Sequence, residues 1–73
     1  MMDRTERLEK ALAAALERND LRAVSELVDE LRFGERYSWQ KCYEVAKAAT
    51  GMDEAEWDEV LYLCDQAEME EER

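Results

Sequence analysis

Apolar residues recur along this chain at intervals of three and four rather than in strict alternation, and that spacing predicts helices from end to end. Leu8, Ala11, Leu12, Ala15 and Leu16 mark the inward face of a first helix, opened by Asp3 with Glu6 at capping-box spacing and closing near Arg18. Asn19 suits a left-handed stop and Asp20 a new N-cap, so the chain is expected to reverse within about two residues. Leu21, Val24, Leu27, Val28 and Leu31 then form the cleanest stripe, an arc of roughly 120°. Gly34 is expected to close that helix as its C-terminal cap, with Phe33 turned off the stripe.

Ser38 reads as the next cap, and Trp39, Cys42, Tyr43, Ala46 and Ala49 share one side of a third helix that stops at Thr50 and Gly51. Asp53 and Glu56 repeat the capping-box spacing, while Met52 and Trp57 are placed to form a hydrophobic staple around it. Trp57, Val60, Leu61, Cys64 and Ala67 make the inward arc of the fourth helix. The acidic run beyond it is expected to fray, because carboxylates at a helix C-terminus oppose the macrodipole. These elements predict an all-α fold: a small four-helix bundle built from two helical hairpins, roughly 3–33 and 38–70, in a single domain over 1–73 with an acidic tail from about 68. A solenoid does not fit, since the halves share no residue pattern beyond the hairpin outline.

Composition supports helices and narrows the function. Proline is absent and glycine occurs only at Gly34 and Gly51, so nothing breaks the helices between their caps. A chain of 73 residues buries only about 60% of its unfolded surface, which leaves no room for a deep substrate cleft. Two cysteines without any histidine exclude zinc-finger ligation and a histidine-based triad. The longest unbroken apolar stretch, Ala11 to Leu16, is too short to cross a bilayer and no leader pattern precedes it, so a cytoplasmic protein with reduced thiols is expected. Cys42 and Cys64 fall on inward stripes, where a free cysteine serves as a small apolar residue.

Charge carries the functional signal. The chain has 20 acidic and 10 basic residues, and from Asp53 to Glu72 there are ten carboxylates and no Lys or Arg. An ordinary solvated helix intersperses lysines four residues from its acids for mutual support, which this one forgoes. On a helical wheel Glu54, Asp58, Asp65 and Glu72 form a row on one flank, with Glu56, Glu59 and Glu70 on the other. Tyr62 and Met69 lie between those flanks, Tyr62 turned about 140° from Trp57. An exposed tyrosine framed by charge suits a protein-binding anchor; a lone surface tyrosine covering a neighbour is the plain alternative.

Helix three, the Thr50–Gly51 break and helix four together resemble a helix-turn-helix in outline. The helix that would enter the major groove carries Glu54, Glu56, Asp58 and Glu59, so phosphate would repel it and direct nucleic-acid binding is excluded. Carboxylates four apart, such as Glu54 and Asp58, have no calcium-loop spacing, and neither a catalytic constellation nor a phosphate-binding glycine loop is present. No enzyme activity, cofactor, metal or membrane partner is expected.

What remains is an interaction protein: a small acidic inhibitor or modulator that docks on a basic surface of a larger protein, such as an RNA polymerase or a nuclease effector. Small acidic proteins of phage origin offer the analogy for such a role in transcription regulation. Glu54, Asp58, Asp65 and Glu72 would steer the encounter, with Tyr62 or Met69 as anchor. The alternative is a homodimeric structural or adaptor protein whose apolar stripes are satisfied on pairing; the net charge of −10 favours a monomer or a weak homodimer.

Overall fold

The computed structural model describes residues 3–71, with side chains through Met69, and among them every regular element is helical. Helix α1 spans Arg4–Arg18, α2 Leu21–Asp29, α3 Trp39–Thr50 and α4 Glu54–Glu71, and a π-helical turn over Glu30–Gly34 extends α2. No described helix is long and apolar enough to cross a membrane.

The caps predicted from sequence set the starts. Asp3 accepts from the Glu6 backbone N–H at 2.8 Å, Asp20 from Ala23 at 3.2 Å, Ser38 from Lys41 at 3.1 Å and Asp53 from Glu56 at 2.9 Å. Asn19 takes the left-handed conformation at φ 57°, and the Asp20 N–H reaches back to the Ala15 carbonyl at 2.9 Å, so α1 ends in a Schellman closure. Gly51, at φ 75°, stops α3 with its N–H on the Lys47 carbonyl at 2.8 Å.

The end of α2 differs from the expectation. Gly34 is not a left-handed cap: it sits inside the π turn, and the positive φ falls on Arg36, at 60°. The Glu35 N–H bonds to the Glu30 carbonyl at 3.1 Å and the Tyr37 N–H to the Leu31 carbonyl at 2.9 Å. That closure is one residue wider than the one at Asn19, so the reversal is delayed until Arg36. A glycine without a positive φ leaves no local signal of this delay in the sequence.

The core is made by Leu12 and Ala15 of α1, Val24 and Val28 of α2, Leu31 of the π turn, Tyr37, then Cys42, Tyr43 and Ala46 of α3, and Trp57 and Cys64 of α4. Packing runs from α3 to α1 to α2 to α4, with α3 and α4 in lighter contact. The main partner of α4 is therefore α2 rather than its neighbour in sequence, α3. Three members of the expected stripes emerge at the surface: Ala11, Ala49 and Trp39. Trp39 is central to its arc but stands in the first turn of α3, where little covers it.

Candidate functional site

Helix α4 owes its orientation to a short buried line. Trp57 and Cys64 are the residues of this helix that are almost fully buried, at 4% and 5% exposure, and they stand seven residues apart, two turns along one edge. Met52, partly buried just before the Asp53 cap, packs on the same core. With that edge fixed, Glu54, Asp58 and Asp65 fall within roughly 40° of one another around the axis, and Met69 and Tyr62 follow within about 40° more. All five are exposed, Tyr62 at 63% and Met69 at 65%. Glu72, the sixth expected site residue, lies outside the described residues, as does the last of the acidic run; α4 is helical through Glu71.

Two crevices flank this row. In the first, of about 270 Å³, Trp39 and Tyr43 of α3 face Trp57 and Leu61 of α4, with Glu54 and Asp58 at the rim. The second, of about 370 Å³, lies between α2 and α4, where Val28, Leu61 and Cys64 provide the apolar lining and Asp29, Asp65 and Glu68 the charge. Tyr62 borders the second crevice, and Trp39 and Leu61 border both. Among the described residues, no lysine or arginine enters either lining. Glu54 and Asp58 thus gather at one crevice and Tyr62 and Asp65 at the other, while Met69 lines neither.

Sequence reasoning missed the residue that joins the two. Trp39, half exposed, lies against the Arg32 guanidinium, whose Cζ is 3.8 Å from the ring centroid. The exposed Phe33 ring is 5.1 Å from the same atom. Arg32 Nε is buried and makes no hydrogen bond within the described residues, so the stack on Trp39 is its principal engagement. The wheel position of Trp39 pointed inward, and only the delayed ending of α2 brings Arg32 beneath its ring.

The electrostatics divide along the chain. Arg4 bridges Glu30 at 2.8 Å and Glu35 at 3.4 Å, and Arg18 lies 3.9 Å from Asp20. Among the described residues no ion pair reaches Glu54, Asp58 or Asp65. Glu68 accepts a hydrogen bond from the Ser25 hydroxyl, tying α4 to α2, and both residues also border an adjoining hollow lined by Arg22.

The remaining polar chemistry holds the fold. The Tyr37 hydroxyl donates to Glu9 at 2.6 Å, which together with burial and the charges of Glu9, Glu35 and Asp3 pushes its pKa up to about 12. Burial raises the Cys42 thiol pKa against a partial opposing pull from Arg32. Burial also raises that of Cys64, reinforced by Glu68 and Asp65, and the Cys64 Sγ–H donates to the Leu21 carbonyl at 3.4 Å. Both cysteines are free thiols, and the described residues contain no cluster of three or more potential metal ligands. Compared with known proteins, the chain matches no family model, no curated protein and no solved structure.

Proposed function

We propose that this chain is a small acidic protein-binding module that docks the exposed flank of α4 on a basic surface of a larger protein and inhibits or modulates it. A nucleic-acid-processing enzyme, such as an RNA polymerase or a nuclease effector, is the kind of target that presents such a surface. The scaffold reads as a four-helix bundle in which the hairpin of α1 and α2 carries α4 along its side.

The observation that supports this is the row Glu54, Asp58 and Asp65, exposed and joined to no cation among the described residues, beside the exposed ring of Tyr62 and the exposed thioether of Met69. Carboxylates kept together on one helix face repel one another, a cost that a cationic partner removes on binding. Direct duplex contact is disfavoured by the same field.

The test is capture of partners from the native host at rising ionic strength, with mass spectrometry identifying what is held and a purified partner then titrated. Affinity is expected to fall with salt and to fall further when Asp58 and Asp65 are replaced by lysine. Affinity that stays flat from low to high salt, with the double reversal still binding, overturns the proposal.

A homodimeric adaptor is the second reading, favoured by Phe33, Leu63 and Met69, which are large, apolar and exposed. A solution mass near 8.6 kDa removes it, and a mass of twice that supports it.

A further inference from the structure

The two crevices of α4 meet at Trp39 and Leu61 and so form one furrow, running beside α4 from Glu54 to Glu68. Along a helix axis that separation is about 21 Å, or four turns. We infer that this furrow seats a basic amphipathic helix of the partner protein, with its apolar side chains in the two crevices and its lysines or arginines over the acidic rim. The inference rests on the protein-binding role proposed above and specifies the chemistry of the occupant.

Charge selects the occupant. Glu54, Asp58, Asp29, Asp65 and Glu68 line the furrow, and among the described residues no lysine or arginine joins them. Glu68 is engaged by Ser25, while among the described residues no ion pair engages the other four. The floor is apolar and aromatic, made by Tyr43, Trp57 and Leu61 on one side of Trp39 and by Val28 and Cys64 on the other. A purely cationic ligand, such as a polyamine, would use the rim and leave this floor wet. A helix with one apolar and one basic face satisfies both at once, as in helix-in-groove recognition.

The ring that divides the furrow is held in place before anything binds. Trp39 rests on Arg32, which is anchored in the π turn, so little side-chain entropy remains to be lost at the anchor. A second copy of this chain is a poor occupant. Its net charge is −10, and the basic residues of α1 share a helix whose apolar face, through Leu12 and Ala15, is already spent on the core.

The experiment uses the full chain and three probes: a 16-residue Lys/Leu peptide with leucines at helical spacing, its scramble of identical composition, and spermine. Binding is read by amide chemical shifts and tryptophan emission at low and moderate salt. The patterned peptide is expected to bind about tenfold tighter than its scramble, with shifts concentrated along the furrow. Trp39→Ala and the pair Asp58→Lys/Asp65→Lys should each weaken it about tenfold, while Glu56→Lys/Glu59→Lys, an equal change of net charge on the other side of α4, costs less than about threefold.

Equal affinity for patterned and scrambled peptides, with equal sensitivity to the two charge pairs, overturns the furrow and leaves the acidic docking surface standing. Absence of binding by every probe at low salt overturns both. The charge-pair comparison decides the matter even where Trp39→Ala lowers stability.

Discussion

The Arg32 guanidinium lies 3.8 Å from the Trp39 ring centroid, joining the π turn to the first turn of α3 across the link between them. The guanidinium is a planar group set over a ring, and its Nε makes no hydrogen bond within the described residues, so the contact with the ring is what recommends arginine here. A lysine keeps the charge but loses the plane. Arg32→Lys should therefore lower unfolding free energy by about 0.5–1 kcal/mol, and Arg32→Ala by up to about 2 kcal/mol. Urea denaturation measures both, and acrylamide quenching of Trp39 should rise with each.

Moving the glycine of this region two positions along the chain should stabilise the protein. Gly34 has no positive φ, and a Cβ there would meet Glu30 Oε2 at 3.5 Å and Arg4 Nη2 at 3.7 Å, ordinary contacts with flexible side-chain ends. Arg36 holds the left-handed φ of 60° that glycine adopts without strain. Gly34→Ala and Arg36→Gly are each expected to add roughly 0.5–1 kcal/mol, read from the shift in denaturant midpoint. Had Gly34 been the left-handed cap, its alanine variant would instead be destabilised.

Tyr37 links stability to alkaline pH. Its hydroxyl donates to Glu9, with Lys41 lying 4.4 Å from the ring centroid and Glu35 and Asp3 adding negative charge. The folded pKa, about 12, stands above the unfolded value near 10, so the unfolded chain gives up this proton first as pH rises. The contribution is complete below pH 10 and lost as pH climbs towards 12. Tyr37→Phe should cost about 1–2 kcal/mol at neutral pH and flatten the decline of stability across that alkaline window.

The two thiols should be silent in the folded protein. Burial disfavours the thiolate at Cys42 and Cys64, and at Cys64 Glu68 and Asp65 add to the effect. Reaction with a disulfide reagent at pH 8 is expected to be slow and to follow the opening of the fold, accelerating in denaturant in step with loss of helicity. Rapid stoichiometric labelling under native conditions would contradict the packing of α2 against α4 if it fell on Cys64, and the burial of the inner face of α3 if it fell on Cys42.

Much of this structure was legible because caps are local. Asp3, Asp20, Ser38 and Asp53 each bond a backbone N–H three residues ahead, so side-chain type and spacing suffice to find them. The stripe from Leu21 to Leu31 was legible for a similar reason, since helical periodicity depends only on the element itself. The π turn was not, because its widened hydrogen bonds depend on how Leu31 and Tyr37 both reach the core. The acidic row of the candidate site could be read from the wheel, but the crevices beside it could not. They arise from α4 leaning on α2 and standing apart from α3, a tertiary choice that places Trp39 between two hollows although its wheel position suggests burial.

The acidic flank should make stability and binding respond to charge in opposite directions. In the free protein Glu54 and Asp58 are like charges four residues apart, and Asp65 and Glu68 are three apart, with no described ion pair on Glu54, Asp58 or Asp65. Asp58→Lys converts the first repulsion into a pair with glutamate on the N-terminal side, the favourable orientation, and Asp65→Lys does the same for the second contact without that orientation. Each is expected to raise unfolding free energy by a few tenths of a kcal/mol, about 0.5–1 kcal/mol for the pair. Screening acts on the same repulsion, so raising salt from 0.05 to 0.5 M should raise the melting temperature of the natural chain and leave that of the double variant nearly unchanged. Complex formation must run the other way, weakened by the same substitutions and the same salt, because the field that destabilises α4 in isolation is the field that draws a cationic helix into the furrow. Calorimetry of the free protein and titration with the patterned peptide, performed on the same samples, compare the two signs directly. A variant less stable than the natural chain and also weaker in binding would mean that these carboxylates serve the fold instead.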